Sequence, residues 1–282
     1  MQILTAVSSP ILTYRIAKEI KAKILPTERK KFPDGEIYIR LLEKPENDVV
    51  LIQNTYPNEG IIAAIIAMQA LKSEGANDIT LVIPYFGYGR QDRKFLDGEP
   101  VSAEAIAKIL SVYADRVILI DPHKDYIKEF FDVEAKVLHA YETLAEMLYP
   151  LDVDLILAPD AGAVDRAKNV AKILGVDWDY LEKRRLSGEE VEIKPKELDV
   201  EGKNVAIVDD IISTGGTIIE ATKALKSQGA VNVYAACVHG LFTNFAIHKL
   251  AQLSIDDVRV TDTIEGPLSV GSVAPIIARA LV

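Results

Sequence analysis

Residues 205–229 read VAIVDDIISTGGTIIEATKALKSQG. Residues 205–208 are a short apolar run of the kind a buried parallel strand uses. Asp209 and Asp210 close that run. Ser213, Thr214, Gly215, Gly216 and Thr217 then lead into a helical pattern over 218–227, and Gly229 stops it. A strand, a loop of small residues and a helix start make an anion site, because backbone N–H groups and the helix dipole both point at the ligand. The acidic pair carries the further information. A phosphate alone would gain nothing from two carboxylates. A ribose phosphate offers an anion to the loop and a diol to the acids, or brings a metal ion with it. The loop lacks the Gly-Lys-Ser/Thr ending of a Walker A sequence.

The same unit occurs earlier in the chain. Residues 51–76 read LIQNTYPNEGIIAAIIAMQALKSEGA and align without a gap with residues 205–230, at an offset of 154 residues. ALKSEGA and ALKSQGA differ at one position. Strand, loop, helix and glycine stop recur in register, which predicts two copies of one α/β domain. Thr55 and Tyr56 stand where Asp209 and Asp210 stand, so the second copy keeps the anion site and the first is free for other work.

At 282 residues and 49% hydrophobic, the chain has material for two domains with real cores. The charge of −10 argues against nonspecific nucleic-acid binding but leaves anionic small substrates open to local basic segments. A single cysteine, Cys237, excludes an internal disulfide framework and a cysteine-based zinc site. Residues 1–10 lack the basic start and long apolar core of a signal peptide, and no apolar stretch reaches membrane-spanning length. The expected location is the cytoplasm, with no membrane partner.

Several other strand ends carry chemistry. The pattern predicts strands at 3–7, 49–53, 79–83, 116–120, 155–158 and, last, 258–261, and helices at 10–20, 59–73, 102–110, 141–147 and 164–174. Ser8 or Ser9 is the expected cap of the first helix. The helix at 59–73 is apolar on several faces and should be covered on more than one side. After the strand at 79–83 come glycines, aromatics and the basic set Arg90, Arg93 and Lys94, suited to polyphosphate and a base. Asp121-Pro122-His123 ends another strand, where His123 suits a hydrogen-bonded structural role or a metal or phosphate contact. His139 reads as structural, ahead of the helix at 141–147. Asp160 stands at the strand end that opens the second domain, after a junction within 144–154. Glu182-Lys183-Arg184-Arg185 precedes a charged stretch to residue 201 that reads as a hairpin, a flap or plain solvated surface. In Phe32-Pro33-Asp34-Gly35-Glu36, local pattern favours a core anchor at Phe32 and a plain turn after it. There is no Ser–His–Asp arrangement or nucleophile elbow. Scattered carboxylates suit magnesium with a polyphosphate better than a zinc cluster. The residues therefore point to a nucleotide or sugar-phosphate enzyme.

These same segments closely resemble the ribose-phosphate pyrophosphokinase family, which makes 5-phosphoribosyl 1-pyrophosphate and AMP from ribose 5-phosphate and ATP. The resemblance spans nearly the whole chain. It implies two tandem type I phosphoribosyltransferase-like α/β domains with mostly parallel sheets, residues 1–145 on the ATP side and 146–282 with the ribose 5-phosphate site and the catalytic flap. The last helix would pack back on the first domain. The resemblance implies that Phe32, Asp34, Glu36, Arg90, Gln91, Arg93, Lys94 and His123 bind ATP. It implies that Asp209, Asp210, Ser213, Thr214, Gly215, Gly216 and Thr217 bind ribose 5-phosphate, that His123 and Asp160 hold Mg2+, and that Lys183 and Arg185 are catalytic. It further implies a homo-oligomer with active sites between domains, completed by Phe32 and Glu36 of a neighbouring subunit.

The chain departs from the family pattern at Ser213, where aspartate is usual, and at Pro122, where leucine is usual. It is also shorter than many bacterial members. The alternatives are a phosphoribosyltransferase that consumes the activated sugar, which would not need the basic loop and His123, and a non-catalytic regulatory paralogue, which would be expected to lose the flap or the loops.

Overall fold

In the computed structural model the chain divides into two compact units. The structure describes residues 1–181, 183–185, 191–193, 198–253 and 255–282, with the backbone alone for 183–185 and 191–193. Unit 1 comprises residues 1–139, 263–265 and 273–282, and unit 2 comprises residues 140–262 and 266–272.

Unit 1 runs β1 (Gln2–Thr5), α1 (Pro10–Glu19), β2 (Lys23–Ile24), β3 (Thr27–Lys31), β4 (Ile37–Leu41), β5 (Asp48–Ile52), α2 (Glu59–Ser73), β6 (Asp78–Ile83), α3 (Ser102–Ser111), β7 (Arg116–Ile120) and β8 (Glu134–Leu138). Unit 2 runs α4 (Tyr141–Leu148), β9 (Leu155–Ala158), α5 (Val164–Leu174), β10 (Asp177–Tyr180), β11 (Lys183–Arg185), β12 (Val191–Ile193), β13 (Asn204–Ile212), α6 (Gly216–Ser227), β14 (Asn232–Gly240), α7 (Ala246–Ala251), β15 (Asp257–Thr261) and β16 (Ser269–Gly271). The last helix, α8 (Ala274–Leu281), belongs to unit 1 and packs on α1.

The two sheets have one topology. Their strand orders are β2-β1-β5-β6-β7-β8 and β10-β9-β13-β14-β15-β16, and all neighbours run parallel. The repeated strands β5 and β13 hold the same third place. An antiparallel hairpin interrupts each unit at the matching point, β3–β4 before β5 and β11–β12 before β13. The central strands are apolar because helices cover both faces. Leu51, Leu81 and Leu119 lie in the core of unit 1 with Met68 and Leu71 of α2. Val205, Ile207, Val233 and Ala235 lie in the core of unit 2 with Ile218 and Leu225 of α6. On the other side of α2 the hairpin strand β4 packs against the helix, although Ile62 stays 51% exposed. Among the described residues no helix is long and apolar enough to cross a membrane.

The structure corrects two expectations. The last strand is β16, not the strand ending at Thr261. Neither serine caps α1 with its side chain. Ser9 sits at the N-cap with φ 59°, whereas a capping hydroxyl needs an extended backbone there. Glu265 Oε1 instead accepts from the Leu12 N–H at 2.7 Å, and a carboxylate there complements the helix dipole.

One glycine marks a contact that fixes α2 against β5. A Cβ at Gly60 would lie 2.3 Å from the backbone oxygen of Asn54, which no rotamer change can clear. Gly60→Ala should cost about 1–3 kcal/mol through overpacking. Urea unfolding would register this as a lower midpoint at unchanged slope, while Gln69→Ala on the exposed face should change it little.

Candidate functional site

In unit 2 the repeat shows how an anion loop is made. Strand β13 does not stop at the acids, as the apolar pattern suggests, but carries Asp209 and Asp210 within it and ends at Ile212. Helix α6 begins at Gly216. In the aligned register α2 is already helical at Glu59, the position matching Ser213. Delaying the helix by three residues leaves 213–215 as a turn in front of the α6 N-terminus. Gly215 takes φ 81°, a conformation that favours glycine, and its carbonyl accepts from the Ile219 N–H at 2.9 Å. The first turn of a helix has N–H groups with no intrahelical acceptor, so the start of α6 has donors of the kind an anion takes. The Ser213 and Thr243 hydroxyls lie 3.2 Å apart. Thr243, on the segment after β14, has no signal in the sequence.

The carboxylates form the other half. Asp209 is buried and pairs in register with Cys237 of β14. Its Oδ1 accepts from the Asp210 N–H at 2.9 Å. Burial is the main cause that holds its pKa well above the ordinary value, and the charge on Asp210 adds to it. Arg166 of α5 opposes that rise, and Asp160 adds to it. Asp160 therefore belongs electrostatically to the same cluster. It stands after β9, where its Oδ1 accepts from the Gly162 N–H at 2.9 Å. Burial and the two acids also raise the Cys237 thiol, which makes it unreactive.

In unit 1 the position matching Asp209 is Thr55, whose Oγ1 accepts from the Gly87 N–H at 2.6 Å. The first copy thus uses that strand end to hold a neighbouring loop. Asn54 Oδ1 accepts from the Tyr85 N–H at 2.7 Å, and the Phe86 ring packs at 5.8 Å from Phe131. On this base the segment 88–94 presents Arg90, Arg93 and Lys94 to solvent. The Gln91 side-chain amide donates to Glu99 Oε2 at 3.2 Å, so it helps to shape the loop. Glu99 Oε2 also accepts the N–H groups of Phe95 and Leu96, which lower its pKa.

His123 is exposed after β7, beside this loop: a Cβ built at Gly89 would lie 3.6 Å from His123 Cβ. Asp121 before it is buried with φ 38° and receives His139 Nδ1 at 3.1 Å. Phe32 is not a core anchor. It is 44% exposed at the tip of the β3–β4 hairpin, edge-on to Tyr38 at 5.9 Å. The hairpin turn closes through Phe32 N–H to Glu36 carbonyl at 2.8 Å, and Asp34 and Glu36 are exposed with it. Lys183 and Arg185 stand on β11, and their side chains lie outside the described residues.

The donors fit a hard divalent ion. Among the described residues no three His, Cys, Asp or Glu side chains gather as a ligand set. Magnesium keeps several waters and needs only one or two carboxylates beside substrate phosphates. Asp160 stands in an acidic cluster whose mutual repulsion a cation would relieve.

The raised Asp209 has a stability consequence. A carboxyl with a folded pKa above its unfolded value stabilises the fold below the unfolded value, near 3.8, and loses that contribution as pH rises through the folded value. Asp209→Asn should therefore raise the thermal midpoint of the ligand-free protein, with a gain that grows from pH 4 upward and then levels off. A gain that shrinks with rising pH would contradict the assignment.

Residues 1–113 match the N-terminal domain of ribose phosphate pyrophosphokinase, and residues 127–274 match the phosphoribosyl transferase domain. The chain is 43% identical over 272 residues to the ribose-phosphate pyrophosphokinase of Methanopyrus kandleri, covering 95% of this chain and 94% of that one. It is 43% identical over 284 residues to that of Methanosarcina mazei, covering 100% and 95%. The crystal structure of phosphoribosylpyrophosphate synthetase from Mycobacterium smegmatis superposes with a TM-score of 0.86 at 30% identity, covering 99% and 97% of the two chains. With both domains matched and relatives aligned from end to end, the chain belongs to the ribose-phosphate pyrophosphokinase family.

Proposed function

We propose that the chain transfers the pyrophosphoryl group of ATP to O1 of ribose 5-phosphate, giving 5-phosphoribosyl 1-pyrophosphate and AMP. The observation that carries this reading is the turn at 213–215 in front of α6, in the same unit as the Asp209–Asp210 pair. The turn and the α6 N–H groups hold the 5-phosphate, with Ser213, Thr214 and Thr217 adding hydroxyls. Ser213 keeps a polar group at the position where the family pattern has aspartate. Asp209 and Asp210 accept the ribose hydroxyls and so orient O1. In this reading unit 2 is the sugar side and unit 1 the nucleotide side.

On the nucleotide side Arg90, Gln91, Arg93 and Lys94 serve the triphosphate, and Phe32, Asp34 and Glu36 receive the base. Phe32 is an aromatic ring held at a hairpin tip and open to solvent, which supports a base-stacking role. In this reading the tip serves a neighbouring subunit of a homo-oligomer. His123 and Asp160 would hold magnesium, which when bound with the triphosphate supplies positive charge to its oxygens.

O1 attacks the β-phosphorus in line, and AMP leaves. Lys183 and Arg185 donate to charge that develops on the transferring group and the leaving oxygen, chiefly in the transition state. Bringing two anions together in the reacting geometry is itself a large part of the rate.

The first test follows AMP from ribose 5-phosphate, ATP and magnesium. AMP formed together with the pyrophosphorylated sugar supports the reading. Binding without turnover would mark a regulatory paralogue, and consumption of the activated sugar with a base a phosphoribosyltransferase. Lys183→Ala and Arg185→Ala should each lower kcat by about 10²–10³, the scale for one lost electrostatic donor. Calorimetric binding of ribose 5-phosphate should stay near that of the parent. Loss of sugar binding at unchanged kcat would make the hairpin a binding element instead.

The shared site has a separate test. Mixed oligomers of Phe32→Ala and Arg185→Ala subunits should recover activity above either parent, because some sites then carry neither change. Verified mixed oligomers without recovery would remove the sharing.

A further inference from the structure

Segments 84–94 and 121–131 follow adjacent parallel strands, β6 and β7, and both are rich in exposed polar side chains. Their backbones have few regular bonds, so something else must fix one against the other. Two apolar contacts do part of this. Phe86 meets Phe131, and Ile127 is fully buried in the core of unit 1. Apolar contacts are tolerant in direction, however, and do not set the angle of a loop to the accuracy that phosphate ligands need.

Three polar contacts are directional. Asp92 lies in the middle of the basic loop, yet its side chain turns inward and is 7% exposed. The Tyr126 hydroxyl donates to its Oδ2 at 2.5 Å. Tyr126 belongs to the 3-10 segment Asp125–Phe130 and packs edge-on to Phe130 at 6.0 Å. Asp92 is the main cause that raises the Tyr126 pKa, and the hydroxyl therefore remains a donor. At the residue before Tyr126, the first of the same segment, His139 Nε2 lies 3.3 Å from Asp125 Oδ2, while its Nδ1 lies 3.1 Å from Asp121 Oδ1. His139 thus joins the start of the 3-10 segment to the buried residue that turns the chain at the end of β7. Asp121 needs such support, because its φ of 38° is unfavourable for a residue with a Cβ. The contacts form one line: Asp121 to His139, His139 to Asp125, Tyr126 to Asp92. His123 sits inside the closed stretch, and Arg90, Arg93 and Lys94 flank its far end.

We propose that Tyr126 and His139 are positioning residues for the nucleotide, fastening the loop that carries His123 to the loop that carries Arg90, Arg93 and Lys94 so that both meet one polyphosphate in fixed register. Neither residue touches the substrate. Both act through Asp92, Asp121 and Asp125, and both lie on the nucleotide side alone. The inference rests on the ATP reading given above and deepens it.

Tyr126→Phe removes one hydroxyl and keeps the ring on Phe130. It should raise the KM for ATP about tenfold, the scale of one hydrogen bond to a charged group. The KM for ribose 5-phosphate should stay within about twofold, since that sugar is held by the other unit. Calorimetric affinity for magnesium–ATP alone should fall by a similar factor, and the thermal midpoint should move little. His139→Ala should show the same split, and His139→Gln, which retains a side-chain donor, should recover part of the ATP affinity. Combining Tyr126→Phe with Asp92→Ala should be less than additive in ATP affinity, because each removes the same bond. Should His139→Ala fail to fold, Tyr126→Phe still decides the matter. Unchanged ATP constants in Tyr126→Phe, or equal losses for both substrates, would overturn the proposal while leaving the ATP reading standing. A parent protein that binds no magnesium–ATP and forms no AMP would remove that reading, and the positioning role with it.

Discussion

A parallel sheet sends the carboxyl ends of all its strands to one edge. Each unit is built on six such strands in the same order, with helical crossovers over the faces. The faces must be apolar because helices cover them, so polar chemistry is left to the edge. In unit 1 that edge carries Thr55, the basic loop and His123. In unit 2 it carries Asp160, Asp209, Asp210 and the turn at 213–215. Both repeats obey the same constraint and differ only in what the edge residues do. Thr55 ties one loop to another, and its counterpart Asp209 is left with a buried carboxylate.

The elements that the sequence makes legible are those whose signal is local. The bounds of α2, α5, β7 and β9 follow from periodicity and small-residue stops. The repeat places β5 and β13 at one topological position, because an ungapped match conserves strand, loop and helix together. The course of β13 is less legible. Its hydrophobic run ends at Val208, but the ladder with β14 continues through Asp209 and resumes at Ile211 and Ile212. Backbone pairing with a neighbouring strand carried the acids into the sheet, against their own low strand propensity. Phe32 misled for the opposite reason. An aromatic residue beside Pro and Gly reads as an anchor, but the antiparallel β3–β4 hairpin carries it away from the core.

Side-chain partners are the part that a single sequence withholds. Tyr126 and Asp92 are 34 residues apart, Ser213 and Thr243 are 30 apart, and His139 and Asp121 are 18 apart. None of these pairs has a spacing that a helix or strand repeat would mark. They come together because neighbouring strands end side by side. Sequence reading finds the residues that a strand end exposes and misses those that hold the exposed ones still. Gln91 falls between the two groups: the motif assigns it to ATP, and its amide is already engaged by Glu99.

The charge of −10 and the proposed anionic substrates are compatible because the two act over different distances. At physiological salt a charge is felt over about 8 Å, so the distant surface contributes little to a phosphate in a loop. What matters is the local set of donors, which at 213–217 is backbone N–H and hydroxyl, and at 90–94 is guanidinium and ammonium. The acidic cluster has the complementary property. Burial and like charge make ionised Asp209 unfavourable in the ligand-free fold, and Arg166 offsets only part of that. A ligand that brings a cation or hydroxyl donors stabilises the ionised form and so stabilises the fold through linkage. The strain at the acidic pair and the proposed affinity for a cation-bearing sugar phosphate are thus one free energy seen from two sides. An apolar replacement that made the empty unit more stable would remove the reason for the ligand to bind.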